Sequence, residues 1–582
     1  MGVTIAERAG AAAGDGLHGP VFVALAPQPG PSGGRPGWRA VRARLTRPDG
    51  LGVAAWAGAA LVLAPLAALL LLASRGSGAL WPHLLRYVVP DAAAETLLLL
   101  GGVGVVVTVV GAGTAWLVAA HDFPGRGVLA WALLLPLAVP TYLVAFAYLD
   151  VLHPLGPVQG AARAAAEWAG VRLPPGTLLP DVRSLGGCAL LIGFVLYPYV
   201  YLNARAAFAM QGAAAVQAGR GLGASGLRLF RRVALPLAWP AVAVGVGLAL
   251  METLNDVGAA EFLGVHTLTL AVYATWINRS SAEGAAGIAL VLLALVAVVL
   301  ALERWGRRSG VRVDGAHPLR RHRLPRGLGL LATVACALPP VLGFGIPALH
   351  LAVAAGQRVA ARGLPPGLGW WALNSAMLAA VATVFIVSLG LLLAFTARVA
   401  AQGGPLRLGN LGYAVPGTVV ALGLLTVLGG FDNGLDALAR STLGVSTGLL
   451  LSGSGAALVL AYAIRFTAVP GGGLDAGYAQ VPPALDRAAR TFGAGRLLLL
   501  RRVHLPLLGP ALQAAALLVF VDCMKELPAT LLLRPLNMET LATAVYGEAA
   551  RGTYEEGAVA ALVIVLLGLA PVLLLGVRRR DR

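Results

Sequence analysis

Residues 486–511 read DRAARTFGAGRLLLLRRVHLPLLGPA, and residues 216–241 read VQAGRGLGASGLRLFRRVALPLAWPA. These two stretches, the second and first basic segments, share arginine, glycine and leucine positions and a Leu-Pro-Leu motif at a constant offset of 270 residues. Shorter motifs repeat with similar offsets: Ala138-Val139-Pro140 with Ala414-Val415-Pro416, and Thr267-Leu268 with Thr540-Leu541. The chain is therefore built from two similar halves, each with one short basic segment between apolar runs.

The composition of the chain is that of an integral membrane protein. Of its 582 residues, 58% are hydrophobic and only 12% are charged, against about 25% charged residues in soluble proteins. The net charge of +18 does not indicate a nucleic-acid partner, because the arginines lie beside apolar runs without a soluble fold or interleaved aromatic residues. Residues 1–50 have no apolar run long enough for a signal peptide, and we expect a disordered cytoplasmic tail there.

Two residue types exclude further classes of protein. Cys188, Cys336 and Cys523 are far apart in or beside apolar segments, so neither a disulfide framework nor a thiolate metal site is indicated. Of the 44 lysine and arginine residues, only Lys525 is a lysine. A Walker-type phosphate-binding loop needs a lysine after a glycine-rich turn. The chain is therefore not itself a P-loop ATPase, and we expect no catalytic residue, cofactor or resident metal.

Runs of about 20 apolar residues are long enough to cross a bilayer as helices. The sequence contains twelve such runs, at 51–74, 96–120, 128–149, 184–204, 233–251, 284–302, 327–349, 373–396, 408–430, 445–464, 503–524 and 557–577. Arginines cluster in alternate loops, which places those loops and both termini in the cytoplasm. We expect an all-α polytopic protein with two parallel six-helix repeats: a first half at 51–303, a basic cytoplasmic linker at 304–326, and a second half at 327–582.

Each basic segment has the pattern of a short helix, a break, and a second helix that enters the membrane. Gly223 and Gly493 suit the end of the first helix, where a positive φ is needed. Pro236 and Pro506 suit the first turn of the next helix, where a missing N–H costs little. Basic charge alone would fix only the orientation of a span. The repeated spacing of glycine, leucine and proline indicates a further role, since topology requires charge but not that order.

Each basic segment resembles the EAA loop of binding-protein-dependent ABC importer permeases, in which EAA is followed by a glycine and a hydrophobic-Leu-Pro ending. The region as a whole resembles the fused twelve-span permeases of the iron(III) and thiamine importers, which implies the type I importer transmembrane fold. The resemblance implies that each segment forms a coupling helix in a groove of a separate ATPase subunit. The residues so assigned are Gln217, Ala218, Arg220, Gly223, Leu227, Leu235, Pro236, Asp486, Arg487, Ala488, Ala489, Arg490, Gly493, Leu497, Leu505 and Pro506. Gln217 and Arg487 stand where the family has glutamate, and Asp486 is displaced from that position by one residue.

Charged residues follow both basic segments near the ends of the next spans. The stretch VDCMKELPATLLLRPLNMETLATAVY at 521–546 is similar to the iron(III) members of the family, and METLNDVGAAEFLG at 251–264 is its counterpart. The rise of a helix places these charges near the outer face. They either form an internal ion pair between Asp522 and Lys525 or line an outer vestibule and translocation path. The residues concerned are Glu252, Asp256, Asp522, Lys525 and Glu526.

The resemblance implies a permease of the bacterial inner membrane that works with two ATP-binding cassette subunits and an extracytoplasmic solute-binding protein. Iron(III) is the expected cargo, with thiamine or another small solute as the alternative. A secondary transporter driven by protons or sodium is a different alternative, against which stands the lack of a clear carboxylate at the middle of a span. Its other expected partner is the lipid bilayer.

Overall fold

The computed structural model describes residues 50–78, 80–172, 174, 181–211, 213–308, 319 and 321–577. The expected tail before residue 50 and the centre of the expected linker lie outside the described residues. Helices form nearly all of the described structure, and the chain is an all-α polytopic membrane protein, as the sequence predicts. A short parallel pair, β1 (His121–Asp122) and β2 (His322–Arg323), joins the two halves.

In the described part of the first half, the helices alternate between long spans and short connecting elements. They are α1 (Gly50–Ser74), α2 (Leu80–Ala120), α3 (Arg126–Ala132), α4 (Thr141–Val151), α5 (Pro157–Trp168), α6 (Leu185–Gln211), α7 (Ala213–Gly221), α8 (Gly226–Asn255), α9 (Gly258–Phe262), α10 (Leu268–Arg279) and α11 (Ala282–Arg308).

The described part of the second half follows a similar order. Its helices are α12 (Arg326–Arg362), α13 (Leu368–Val399), α14 (Gly404–Leu411), α15 (Gly417–Leu443), α16 (Gly455–Phe466), α17 (Ala468–Ala479), α18 (Pro483–Thr491), α19 (Arg496–Lys525), α20 (Pro528–Leu533), α21 (Leu541–Ala550) and α22 (Tyr554–Val577).

Among the described residues, ten helices are long and apolar enough to cross a membrane, and two bent pairs bring the total to twelve. The first pair comprises α3, the 3-10 turn Leu135–Ala138 and α4, and it bends by 93°. The second pair, α16 with α17, bends by 43°. The first bend lies at Val139-Pro140, where the proline cannot continue a helix. The twelve apolar runs therefore correspond to ten long helices and two broken ones.

Two helix boundaries differ from the sequence expectation. The ninth apolar run divides at Pro416 into α14 and α15. The tenth run, expected at 445–464, becomes helical only at the start of α16. The carboxylate of Asp432 accepts hydrogen bonds from the backbone N–H groups of Leu451 and Ser452, at 3.1 and 2.8 Å, and holds the preceding residues as a loop.

Among the described helices, α2, α8, α12 and α19 each contain one wide π turn, and a proline follows each turn two positions later. The turns are Leu84–Val88, Phe230–Ala234, Val341–Gly345 and Leu500–His504, and the prolines are Pro90, Pro236, Pro347 and Pro506. A proline ring clashes with the carbonyl group four residues earlier, and a wider turn relieves that clash. Each helix therefore continues across its proline.

The first helix of each half contacts the opposite half as well as its own half. Helix α1 lies against α14 and α15, whereas α12 lies against α3, α4 and α6. A Cβ atom at Gly423 in α15 would lie well under 3 Å from the carbonyl oxygen of Pro65 in α1, and one at Gly343 in α12 would similarly meet Phe194 in α6. Small residues let helix backbones approach closely. The first helix of each half therefore lies in close backbone contact with the other half.

Replacing Gly423 by alanine is expected to lower the Tm of the purified protein by a few degrees. The added methyl group must displace α1, and overpacking of this kind costs about 1–3 kcal/mol. The control is Gly429→Ala on the same helix, where no atom of the described residues lies within 4 Å of the new methyl group. Thermal unfolding followed by tryptophan fluorescence in detergent measures the difference, and equal Tm values for the two variants would contradict the proposed close contact.

Candidate functional site

The two basic segments fold in the same way. The N–H of Ala494 donates to the carbonyl oxygen of Ala489 at 3.0 Å beyond the end of α18, and the matching bond closes α7. This pattern is a Schellman motif, which needs a residue in the left-handed region. Gly223 and Gly493 occupy that position, with φ values of 82° and 76°. The sequence prediction of a helix, a glycine break and a second helix is confirmed.

Each basic segment joins a long span without an intervening loop. In the π turns before Pro236 and Pro506, the N–H groups of Leu235 and Leu505 donate to carbonyl oxygens five residues earlier. These turns continue directly into the remainder of α8 and α19, which have 30 residues each. At 1.5 Å per residue, each helix is about 45 Å long. The second helix of each basic segment and the span that follows it therefore form one continuous helix.

The outer surfaces of the basic segments carry apolar side chains. Leu222 is 89% exposed and Phe492 is 90% exposed, at matching positions immediately before the glycines. Leu227 and Leu497 are also exposed, one turn further along the chain. Exposed apolar side chains grouped beside charged ones are typical of protein–protein contact surfaces. Sequence reasoning missed Leu222 and Phe492, although an apolar residue precedes the glycine in both copies.

The residues that the EAA resemblance assigns to an ATPase contact differ in their solvent exposure. Most are exposed: Gln217, Ala218, Gly223, Leu227, Pro236, Arg487, Ala488, Arg490, Gly493, Leu497 and Pro506. Four are partly buried: Arg220, Leu235, Ala489 and Leu505. Asp486 alone among the assigned residues is buried.

A cavity of about 190 Å³ lies between the two halves, where α8 and α19 end. The chain turns there into the short helices α9 and α20. Asp256 Oδ1 accepts a hydrogen bond from the N–H of Ala259 at 2.7 Å, and Glu526 Oε1 accepts one from the N–H of Ala529 at 2.9 Å. The two carboxylates thus satisfy N–H groups at the start of α9 and α20, which would otherwise be buried without partners.

Further polar groups enter the cavity from both halves. Lys525 Nζ lies 2.9 Å from Asp522 Oδ1. The hydroxyl group of Tyr413 donates a hydrogen bond to the carboxylate of Glu252. Arg465 Nη1 donates to Glu526 Oε1 at 2.8 Å, and Tyr199 also lines the cavity. The arrangement is a cavity lined by carboxylates, phenols and two paired cations.

All five charged residues that the sequence singles out line this one cavity: Glu252, Asp256, Asp522, Lys525 and Glu526. The expected ion pair between Asp522 and Lys525 is present. Counting along α19 predicts a position near the outer face; in the structure these residues line a cavity that Tyr199, near the middle of α6, also lines. Sequence reasoning missed Tyr413 and Arg465, because neither lies in a motif that resembles the charged stretches.

Residues 108–309, which include the first basic segment and one side of the cavity, match the family described as binding-protein-dependent transport system inner membrane component. The chain is a permease subunit of an ABC importer. This assignment agrees with its many spans and its two basic segments, and it makes the permease a multi-pass membrane protein and not an enzyme.

Three relatives show how far the similarity extends. The permease is 24% identical to the Fe(3+)-transport system permease protein FbpB 2 of Haemophilus influenzae over 496 residues, which is 83% of this chain and 88% of the relative. It is 31% identical over 194 residues to the putative 2-aminoethylphosphonate transport system permease protein PhnU of Salmonella paratyphi A, covering 33% of this chain and 65% of the relative. It is 27% identical over 197 residues to the molybdenum transport system permease protein ModB of Escherichia coli, covering 33% of this chain and 81% of the relative.

Asp486 connects the second basic segment to the body of the permease. It is only 9% exposed. Its Oδ2 accepts a hydrogen bond from Arg398 Nε at 2.7 Å, and its Oδ1 lies 3.0 Å from His504 Nε2. Burial raises the pKa of Asp486, but the hydrogen bonds from His504 and Arg398 outweigh burial and bring this pKa below its ordinary value. The sequence interpretation had Asp486 facing an ATPase; one residue turns a helix by about 100°, and the side chain points inward.

The first basic segment has an apolar contact at the same place. Val216 and Ala234 stand where the second segment has Asp486 and His504. Both lie beside two aromatic rings from α2 and α6, whose centroids are 5.3 Å apart. The two segments therefore have the same backbone conformation but are fixed to the rest of the permease by different interactions. The first is held by apolar packing and the second by a buried ion pair.

Replacing Asp486 by alanine is expected to lower the Tm of the permease strongly, because the guanidinium group of Arg398 then remains largely buried without its counter-ion. Breaking a buried pair in this way costs about 3 kcal/mol. Arg487→Ala, at the exposed neighbouring position, is the control and is expected to leave the Tm within a degree. Thermal unfolding in detergent provides the comparison, and an equal effect of the two substitutions would argue against the anchor.

Proposed function

We propose that this permease imports iron(III) and that its two basic segments couple it to two ATP-binding cassette subunits. A solute-binding protein delivers the cargo at the extracytoplasmic face of the bacterial inner membrane, and both termini lie in the cytoplasm. Closure of the ATPase pair draws the segments together and opens the cavity outward. The paired, fully exposed apolar side chains of Leu222 and Phe492 are the observation that carries this proposal.

The shape of each basic segment supports a coupling role. Leu222 and Phe492 project from the end of a short helix, where the following glycine presents no side chain. A large apolar side chain that fills a pocket is a common anchor of a protein interface. The nearby arginines, among them Arg490, add charge that favours an acidic partner surface. The segments continue directly into α8 and α19, so that force applied to them reaches the cavity.

Iron(III) is favoured over the other cargoes by the extent of the similarity. The match to the Fe(3+)-transport permease covers both halves of the chain, whereas the matches to the aminoethylphosphonate and molybdenum permeases cover about a third of it. The charge of the cavity points in the same direction, since four carboxylates and two cations line it. Such a cavity suits a cation better than an oxyanion.

The double substitution Leu222→Ser with Phe492→Ser is expected to abolish co-purification of the ATPase subunits and to reduce uptake at least tenfold. Both side chains are exposed, so the fold and Tm of the permease should be unchanged. The matched control is Leu536→Ser, which alters a fully exposed leucine that follows α20, away from both segments. Normal assembly and uptake in the double variant would show that these segments do not carry the coupling.

The cargo is tested by uptake of radioactive iron(III) into cells that express the permease with its ATPase and binding protein. We expect ATP-dependent ⁵⁵Fe uptake that survives an uncoupler and that excess unlabelled thiamine does not reduce. Competition by thiamine would assign the permease to the other importer class. Uptake that an uncoupler abolishes while ATP persists would indicate a secondary transporter.

A further inference from the structure

The cavity contains more negative charge than its own cations neutralise. Asp256 is committed to the start of α9 and to the hydroxyl group of Thr141. Glu526 is committed to the start of α20 and to Arg465. These two carboxylates therefore serve the fold.

The remaining charged groups are Glu252, Asp522 and Lys525. Glu252 and Asp522 occupy matching positions in the two halves, 270 residues apart. Among the described residues, Glu252 has no cation within ion-pair distance, and its hydrogen-bond partner is the phenol of Tyr413. Lys525 is paired with Asp522 and lines the same cavity as Glu252. One ammonium group thus lies in a cavity with two carboxylates that do not serve a helix start.

A second, independent feature shows that the cavity wall has unused polar capacity. The side chain of Tyr142 is only 4% exposed and lines the cavity, and its hydroxyl group has no hydrogen-bond partner among the described residues. Buried hydroxyl groups are almost always hydrogen-bonded in proteins. Arg465 Nε also has no partner in the part of the chain that the structure describes, but the charge of Arg465 is already matched by Glu526. The hydroxyl group of Tyr142 is therefore available to a ligand that enters the cavity.

From this arrangement we infer that Glu252 and Asp522 form the transient binding site for a cationic cargo, and that the ammonium group of Lys525 occupies this site when no cargo is present. Tyr142, Tyr199 and Tyr413 contribute phenol oxygens around it. This inference rests on the proposed function in one respect, namely that the cargo passes between the two halves. It adds the residues that meet the cargo and the group that the cargo displaces.

The site is suited to passage rather than retention. Carboxylate and phenol oxygens are hard ligands that favour hard cations such as ferric ion. Among the described residues, no group of three or more histidine, cysteine, aspartate or glutamate side chains could hold a metal ion. Two available carboxylates bind a cation weakly, and Lys525 competes with it for them. Conduction requires binding that is strong enough to admit the ion and weak enough to release it.

Terbium(III) is a suitable probe, because it is a hard trivalent cation whose luminescence is excited through nearby tyrosine rings. We would titrate it into purified permease in detergent. Lys525→Met is expected to bind terbium(III) at least tenfold more tightly than the unmodified permease, since the competing ammonium group is gone. Adding Glu252→Gln to that variant is expected to remove the gain. Adding Asp91→Asn, which alters an exposed carboxylate outside the cavity, is expected to leave it unchanged.

Lys525→Arg keeps the charge and is expected to bind terbium(III) as weakly as the unmodified permease. Should Lys525→Met fail to fold, Glu252→Gln alone provides the test through ⁵⁵Fe uptake, which should fall at least tenfold while the ATPase subunits still co-purify. The inference is overturned if Lys525→Met shows no gain in affinity, if the gain persists with Glu252→Gln, or if Glu252→Gln transports normally.

These outcomes are separate from a failure of the proposed function. Absence of iron(III) uptake by the unmodified complex would contradict the cargo, while terbium(III) binding would still report on the cavity. Normal iron(III) uptake together with a terbium(III) affinity that does not change on substitution of Lys525 or Glu252 would contradict only the cavity site.

Discussion

Two buried carboxylates, those of Asp256 and Glu526, determine where the permease can interrupt its helices. The first N–H groups of a helix need acceptors when no water reaches them. Asp256 supplies an acceptor for α9 and Glu526 for α20, and Arg465 compensates the charge of Glu526. Because α8 and α19 can end at these points, the chain turns aside and leaves space between the halves. The cavity is therefore a consequence of how the first N–H groups of α9 and α20 find their hydrogen-bond acceptors.

Duplication preserved the backbone of these turns and left their side chains free to diverge. Asn255 in the first half matches Lys525 in the second. The amide oxygen of Asn255 accepts a hydrogen bond from the N–H of Gly417 at 2.7 Å and so ties the halves together, whereas Lys525 neutralises a neighbouring carboxylate. The basic segments diverge similarly, since Val216 packs against rings where Asp486 is ion-paired. Positions that set backbone geometry are shared, and positions that set charge are not.

The sequence predicts the parts of this architecture that depend on local chemistry. Spans follow from hydropathy because a bilayer admits few alternatives to a long apolar helix, and Gly493 and Pro506 mark turns that suit those residue types. The inward direction of Asp486 is not predictable from the sequence, because its partner Arg398 lies 88 residues away. The packing of α1 on the second half depends on a close approach at Gly423, which hydropathy does not encode.

Helices α8 and α19 connect the two ends of the permease on which the proposed mechanism acts. Each carries an exposed basic segment at its start and a cavity carboxylate, Glu252 or Asp522, within its last turn. In the proposed mechanism each of these helices moves as one unit, so that a change in the separation of the segments changes the separation of the carboxylates. Lys525 shares α19 with Asp522 and moves with it. In the proposed mechanism, parting of the halves therefore moves the ammonium group away from Glu252, and that carboxylate is left without a competing cation.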